Sequence, residues 1–373
     1  MRRDSLIKQI LRLPQLLILL LTFIIVKAAS NSPKLTESVY SEGIYPVIRN
    51  AVSAVTRLVP ISVAEAILMI LLTVFVLLLI IRVLRLIFLR KKALVRLVSL
   101  IITAVLTAAY LVFLFYAMWG LNYFRPSVGT KLDLPEREYT SQELEAVCWD
   151  LLEKAKAART AAGFEESEVF DLTVEEIQSG VTEAYAEFGA SRPSFKADVP
   201  QVKPVILSEQ LSKLGISGIY VFLTEEPNIN VNDPSLYLPV NAAHETAHYL
   251  GFAREEDANF IAFLVCTEAE DPALAYSGYM HALLHCGNNL AGKDRAAYDK
   301  LISAYSEGMQ RDLKIYKENY DQYADTPVWN ASEKANDTYL KANKQEKGVE
   351  SYTEDTALIL RYYDSRRFFS QPA

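Results

Sequence analysis

The chain has 373 residues, a formal net charge of −7 and a hydrophobic share of 51%. That is room for two or three modules, and more apolar residues than an ordinary soluble protein carries. Residues 1–120 hold 14 of the 38 basic and 4 of the 45 acidic side chains, which leaves a net −17 on the remainder. So acidic a remainder argues against nucleic acid or an anionic membrane surface as its partner.

Three apolar runs in the first third read as membrane spans, at about 10–30, 61–82 and 97–121. The first has an uncharged core from Leu13 to Val26 between Arg12 and Lys27, short for a bilayer unless the flanking side chains snorkel. A signal peptide is the rival reading, with its basic start and Lys27-Ala-Ala-Ser ending; two further spans favour retention. The second run carries only Glu65, near its start, and the third, Leu97 to Leu121, carries no charge. Arg2, Arg3, Lys8 and Arg12 precede the first span. Arg82, Arg85, Arg90, Lys91, Lys92 and Arg96 lie between the second and third, without an acid. Basic residues mark the cytoplasmic side, so three spans leave everything after Asn122 outside. The connection from Asn31 to Pro60 is expected outside as well, as a surface-lying amphipathic helix. The spans lack paired charges, which disfavours a transporter.

Pro126, Gly129 and Pro135 make residues 123–139 a linker without regular structure, and residues 140–373 form the extracytoplasmic domain. Thr140 with Glu143, and Thr173 with Glu176, are capping boxes that open helices running to about Ala162 and Phe188. Pro204–Ser208 and Ile216–Thr224 are β-branched and aromatic runs that predict strands, with Asn228–Val231 as a short addition. An exposed strand of this small sheet could pair with an extended peptide. Cys148, Cys266 and Cys286 form no metal-binding spacing, so buried free thiols are the expectation. The fold class is therefore mainly α with a small β-sheet, an α+β domain after three N-terminal transmembrane helices.

The chemistry lies in Asn241-Ala-Ala-His244-Glu245-Thr-Ala-His248-Tyr-Leu-Gly251-Phe-Ala-Arg-Glu255-Glu-Asp-Ala-Asn259. Residues four apart on a helix share a face, so His244 and His248 can grip one side of a Zn²⁺, with Glu245 placed to take a proton from a water. Gly251 lets the chain leave the helix, and Glu255 can point back as third ligand. Glu256 is the fallback if the register shifts by one. Two histidines, one carboxylate and an open fourth position describe a catalytic zinc rather than a structural one.

Further along, a helix from Tyr276 to His285 carries His281 and His285, again four apart. No carboxylate is evident nearby in sequence, so they read as a surface-facing pair, with a transition-state donor or a second metal site as the other readings. A long polar helix is expected from Asp294 to Tyr323, then a shaped loop spanning Asn336–Asn343 and Gly348–Tyr352, then a last helix through Tyr363. Tyr339 and Tyr352 are candidate oxyanion donors.

His244-Glu245-Thr-Ala-His248 followed by Glu255-x-x-Ala258-Asn259 resembles the zincin metallopeptidases, in the branch whose third ligand is Glu, the gluzincins. Nearly the whole chain is similar to a family of bacterial membrane proteins known only as a domain of unknown function and grouped with those peptidases. The three early spans, Gly218-Ile-Tyr-Val-Phe and the closing Tyr339-Leu-Lys-x-Asn343…Gly348-Val…Ser351-Tyr352 carry that likeness. The resemblance implies a zincin-like fold and peptide-bond hydrolysis, with zinc held by His244, His248 and Glu255 and with Glu245 as general base. A peptide or protein is then the substrate and the bilayer the anchor. In related membrane peptidases an Asp stands four residues after the third ligand and orients a ligating His; here Asn259 occupies that position without the charge. The six residues between His248 and Glu255 are also few for this class. A zinc-binding membrane receptor without catalysis is the alternative. Oligomeric state has no signature in the sequence.

Overall fold

The computed structural model describes residues 11–88, 93–343, 345, 347–348 and 354–370. It is mainly helical, with one three-stranded mixed sheet. The chain divides into two compact units: Met1–Ala51, Val63–Arg125 and Phe222–Thr224 form the first, and Val52–Ser62, Pro126–Val221 and Glu225–Ala373 the second.

In the first unit, among the described residues, three helical stretches are long and apolar enough to cross a membrane: Leu13–Asn31, Val63–Ile81 and Leu97–Met118. Leu68, Leu71 and Phe75 stand about 60% exposed. Water would penalise each of these side chains by roughly 1–2 kcal/mol relative to burial, so a lipid solvent is what such a surface matches. The last stretch ends three residues short of the expected Leu121, because Trp119 leaves the helical region and Gly120–Phe124 tightens into a 3₁₀ turn. The connection after Leu13–Asn31 is helical as expected. It runs through a π-helix, Thr36–Ile44, into the helix Tyr45–Thr56. Arg125 holds Glu37 through two hydrogen bonds of 2.6 and 2.7 Å.

In the second unit both capping boxes form. Thr140 and Thr173 accept from the backbone N–H of Glu143 and Glu176, whose carboxylates return the bond, and open the helices Ser141–Ala161 and Val174–Ser191. Leu144, Val147, Leu151, Leu152 and Ala155 lie on one stripe of the first helix at helical spacing and are fully buried. That stripe packs on the helix Pro272–Lys293. At the far end of Ser141–Ala161, buried Arg159 donates to Asp312 (2.9 Å) and to the carbonyls of Phe164, Glu165 and Glu168. Asp312 also accepts from the Tyr276 hydroxyl (2.8 Å) and the Phe170 N–H (3.0 Å), so this charge pair is fully engaged.

The sheet has the order β1 (Lys203–Pro204), β3 (Glu226–Ile229), β2 (Gly218–Val221). β1 runs parallel to β3 in the register Lys203↔Asn228, and β2 antiparallel with Gly218↔Ile229. β3 is buried throughout and β2 is an edge. The predicted strand Pro204–Ser208 is not one beyond Pro204: the Ser208 hydroxyl donates to Val205 O (2.6 Å) and accepts from Val231 N–H (3.0 Å), and a helix, Ser208–Lys213, starts there. Side chain-to-backbone bonds of this kind compete with a ladder.

Three other expectations change. The linker contains a short helix, Val128–Lys131, capped by Ser127, and Val128 is buried in the core. The long polar helix is two, Arg295–Ser303 and Glu307–Tyr323, because Ser306 caps the second through the Met309 N–H. Asn336–Asn343 is not a loop but the end of a helix, Pro327–Ala342, started by Thr326 as cap and Pro327 in its first turn. The last helix is Asp355–Ser365. Cys148, Cys266 and Cys286 are buried free thiols.

Candidate metal centre

Every residue of the helix Leu238–Tyr249 except Asn241 is buried. Gly251, at φ +84°, turns the chain out of it. Phe252 N–H then reaches Ala247 O (3.1 Å) and Gly251 N–H reaches His248 O (2.9 Å), which is a Schellman close that only a left-handed residue allows. The same turn delivers the Phe252 carbonyl to His248 Nδ1 at 2.7 Å. Arg254, in extended backbone, opens the next helix, Glu255–Glu268, and Asp257 fixes its guanidinium at 2.7 Å. Six intervening residues therefore suffice, because a tight cap at Gly251 and an extended Arg254 reverse the chain onto the histidines.

Glu255 Oε2 lies 3.3 Å from His244 Nε2 and 3.5 Å from His248 Nε2. The edge of a tetrahedron with bonds of 2.0–2.1 Å is about 3.3–3.4 Å, so both histidine–carboxylate separations match what a zinc-class ion requires. Both imidazoles are turned the right way. His244 Nδ1 donates to Asn259 Oδ1 at 2.6 Å, one helical turn beyond Glu255, and His248 Nδ1 donates to the Phe252 carbonyl. Both Nε2 atoms thus face the carboxylate. The group His244, His248 and Glu255 is buried, and its residues fit a divalent cation. Burial disfavours charge on His248 and Glu255 alike. Their mutual attraction outweighs it, holding His248 up at about 9 and Glu255 down at about 2. Glu256, the alternative ligand, turns instead to Gln345 Nε2 (2.7 Å), and burial raises it to about 7.

Glu245 is buried beside this group, and burial raises its pKa against the pull of His244 and His248. β2 braces it: the Tyr220 backbone N–H donates to the carboxylate, and a Cβ at Gly218 would stand 2.7 Å from Glu245 Cγ. Only glycine permits that approach.

The surface-facing reading of His281 and His285 fails. Both lie on Pro272–Lys293 with their rings 4.0 Å apart, and both meet Asp355, the fully buried first residue of the last helix. His285 Nδ1 is 2.9 Å from Asp355 Oδ1, and His281 Nε2 is 3.5 Å from Oδ2. Burial and then His285 hold His281 down at about 4, with His244 adding to the effect. Asp355 stands 70 residues beyond His285 in the chain, so no local signal revealed it. Tyr339 sits on the helix Pro327–Ala342, 39% exposed. Tyr352 lies outside the described residues.

A mainly helical chain with three candidate membrane helices, a small sheet and a buried His-His-Glu group able to hold a metal ion is the class these features define. The chain belongs to the family described as Protein of unknown function (DUF3810), whose model matches residues 40–360. No curated protein and no solved structure matches it.

Proposed function

We propose that this chain is a membrane-anchored zinc metallopeptidase, with a cytoplasmic N-terminus and its second unit outside the membrane. The observation that carries the reading is Glu245. It is a buried carboxylate of raised pKa, one residue from a metal-competent histidine and braced by an edge strand. His244, His248 and Glu255 would hold the ion. A bound Zn²⁺ supplies a Lewis acid for the scissile carbonyl and an acidified water. Glu245 would accept a proton from that water and return it to the departing amine. Asn259 and the Phe252 carbonyl keep the imidazoles from rotating. β2, the outer strand of the sheet, lies next to the base, where an extended peptide could be received.

The test uses the full-length protein in detergent, loaded with zinc and offered a mixed peptide library. Cleavage is expected, and Glu245→Gln should keep its zinc while losing about 10²–10⁴-fold in turnover. A library left intact by the zinc-loaded wild type would favour the receptor reading. Cleavage that survives Glu245→Gln would remove the base from the mechanism.

A further inference from the structure

The pattern of two histidines four apart facing the first residue of a later helix occurs twice. His244 and His248 meet Glu255, first in Glu255–Glu268; His281 and His285 meet Asp355, first in Asp355–Ser365. We infer that His281, His285 and Asp355 form a second site for a divalent first-row transition metal, which ties the last helix to Pro272–Lys293.

Three observations carry it. The donor atoms of the trio all lie within 4.8 Å of one another, and the 3.5 Å between His281 Nε2 and Asp355 Oδ2 is a ligand–ligand separation, not a good hydrogen bond. His281 is only 6% exposed, yet among the described residues neither of its ring nitrogens has a hydrogen-bond partner. A buried polar group left in that state is costly. An ion pair explains His285 and Asp355 alone, since His285 Nδ1 already takes both carboxylate oxygens at 2.9 and 3.0 Å. His281 then has only its long 3.5 Å approach to Asp355 Oδ2, whereas a shared cation uses all three residues at ligand distance.

The chemistry of the donors selects the ion. Two imidazole nitrogens and one carboxylate oxygen suit zinc, cobalt or nickel, whereas magnesium and calcium prefer oxygen shells. His285 is 16% exposed on its side chain, so a remaining coordination position can be filled from solvent. The Tyr237 ring packs edge-on against His281 at 6.0 Å and walls one side. The ion adds a link between two helices whose common carboxylate is otherwise held closely by His285 alone. This site does not depend on the peptidase reading.

The test strips full-length protein in detergent with a chelator, reloads it with Co²⁺ alone, and reads metal per chain together with the visible absorption of the bound ion. Wild type should hold two equivalents. His244→Ala/His248→Ala should hold one, and so should Asp355→Asn, a near-isosteric change that spares the packing. In the His244→Ala/His248→Ala chain, Co²⁺ should also raise the melting temperature, and adding Asp355→Asn should abolish both band and shift. One equivalent in wild type that disappears with His244→Ala/His248→Ala would overturn the inference and leave a histidine–aspartate ion pair. So would two equivalents persisting in Asp355→Asn. One equivalent lost only on Asp355→Asn would keep the inference and sink the first centre instead.

Discussion

Asn259 is the sharpest lever on the first centre. Its Oδ1 accepts from His244 Nδ1 at 2.6 Å in a buried position, which fixes the tautomer and the ring plane that aim Nε2 at Glu255. Asn259→Leu keeps the volume and removes the acceptor. A buried N–H is then stranded at a cost of about 1–3 kcal/mol, and loss of such an orienting partner typically lowers metal affinity about 10–100-fold. Asn259→Asp restores the acceptor and adds a charge that raises imidazole basicity, so its affinity should equal or exceed that of wild type. Zinc competition against a chromophoric chelator, on full-length protein carrying Asp355→Asn so that one centre is read, measures both. The reasoning is refuted if Asn259→Leu binds zinc within about twofold of wild type, or if Asn259→Asp weakens binding as much as Asn259→Leu does.

Two further outcomes concern stability. Burial lifts the Asp233 carboxyl to about 6, against a hydrogen bond from Ser217 that lowers it. A folded-state pKa above the unfolded value of about 3.9 means that the folded chain binds the proton more tightly. This residue should therefore cost stability progressively as pH rises from about 4 to 6, reaching on the order of 2–3 kcal/mol at neutral pH. Asp233→Asn should melt higher than wild type at pH 7 and equally at pH 4; the same difference at both would contradict the assignment. Asp312→Ala should strand Arg159, buried with its guanidinium turned inward, and destabilise the second unit by about 3–5 kcal/mol. Thermal melting should drop by roughly 10 °C, and a shift of a degree or two would show that the pair contributes little.

The arrangement of the first centre was legible because its parts are local. Helical periodicity alone aligns His244 with His248, Gly251 signals the exit, and Asn259 follows Glu255 by one turn. The capping boxes at Thr140 and Thr173 were equally legible, since each consists of two residues three apart. Errors fell where a short apolar or polar run had to be judged without its surroundings. Pro204–Ser208 has strand composition, but the Ser208 hydroxyl turns the backbone. Asn336–Asn343 has loop composition, but Thr326 and Pro327 had already started a helix upstream.

The sequence by itself therefore determined the three apolar helices, the mainly helical class and the pairing of histidines along each helix, because periodicity and capping act within a few residues. Only the tertiary structure decided which carboxylate each pair meets. Glu255 rather than Glu256 faces His244 and His248 because a Schellman turn and an extended Arg254 set the angle of entry. Asp355 meets His281 and His285 because the last helix docks on Pro272–Lys293, and Asp355 is fully buried there. Contacts across 70 residues are settled by how apolar faces pack, and that information is spread over the whole core rather than written beside either partner.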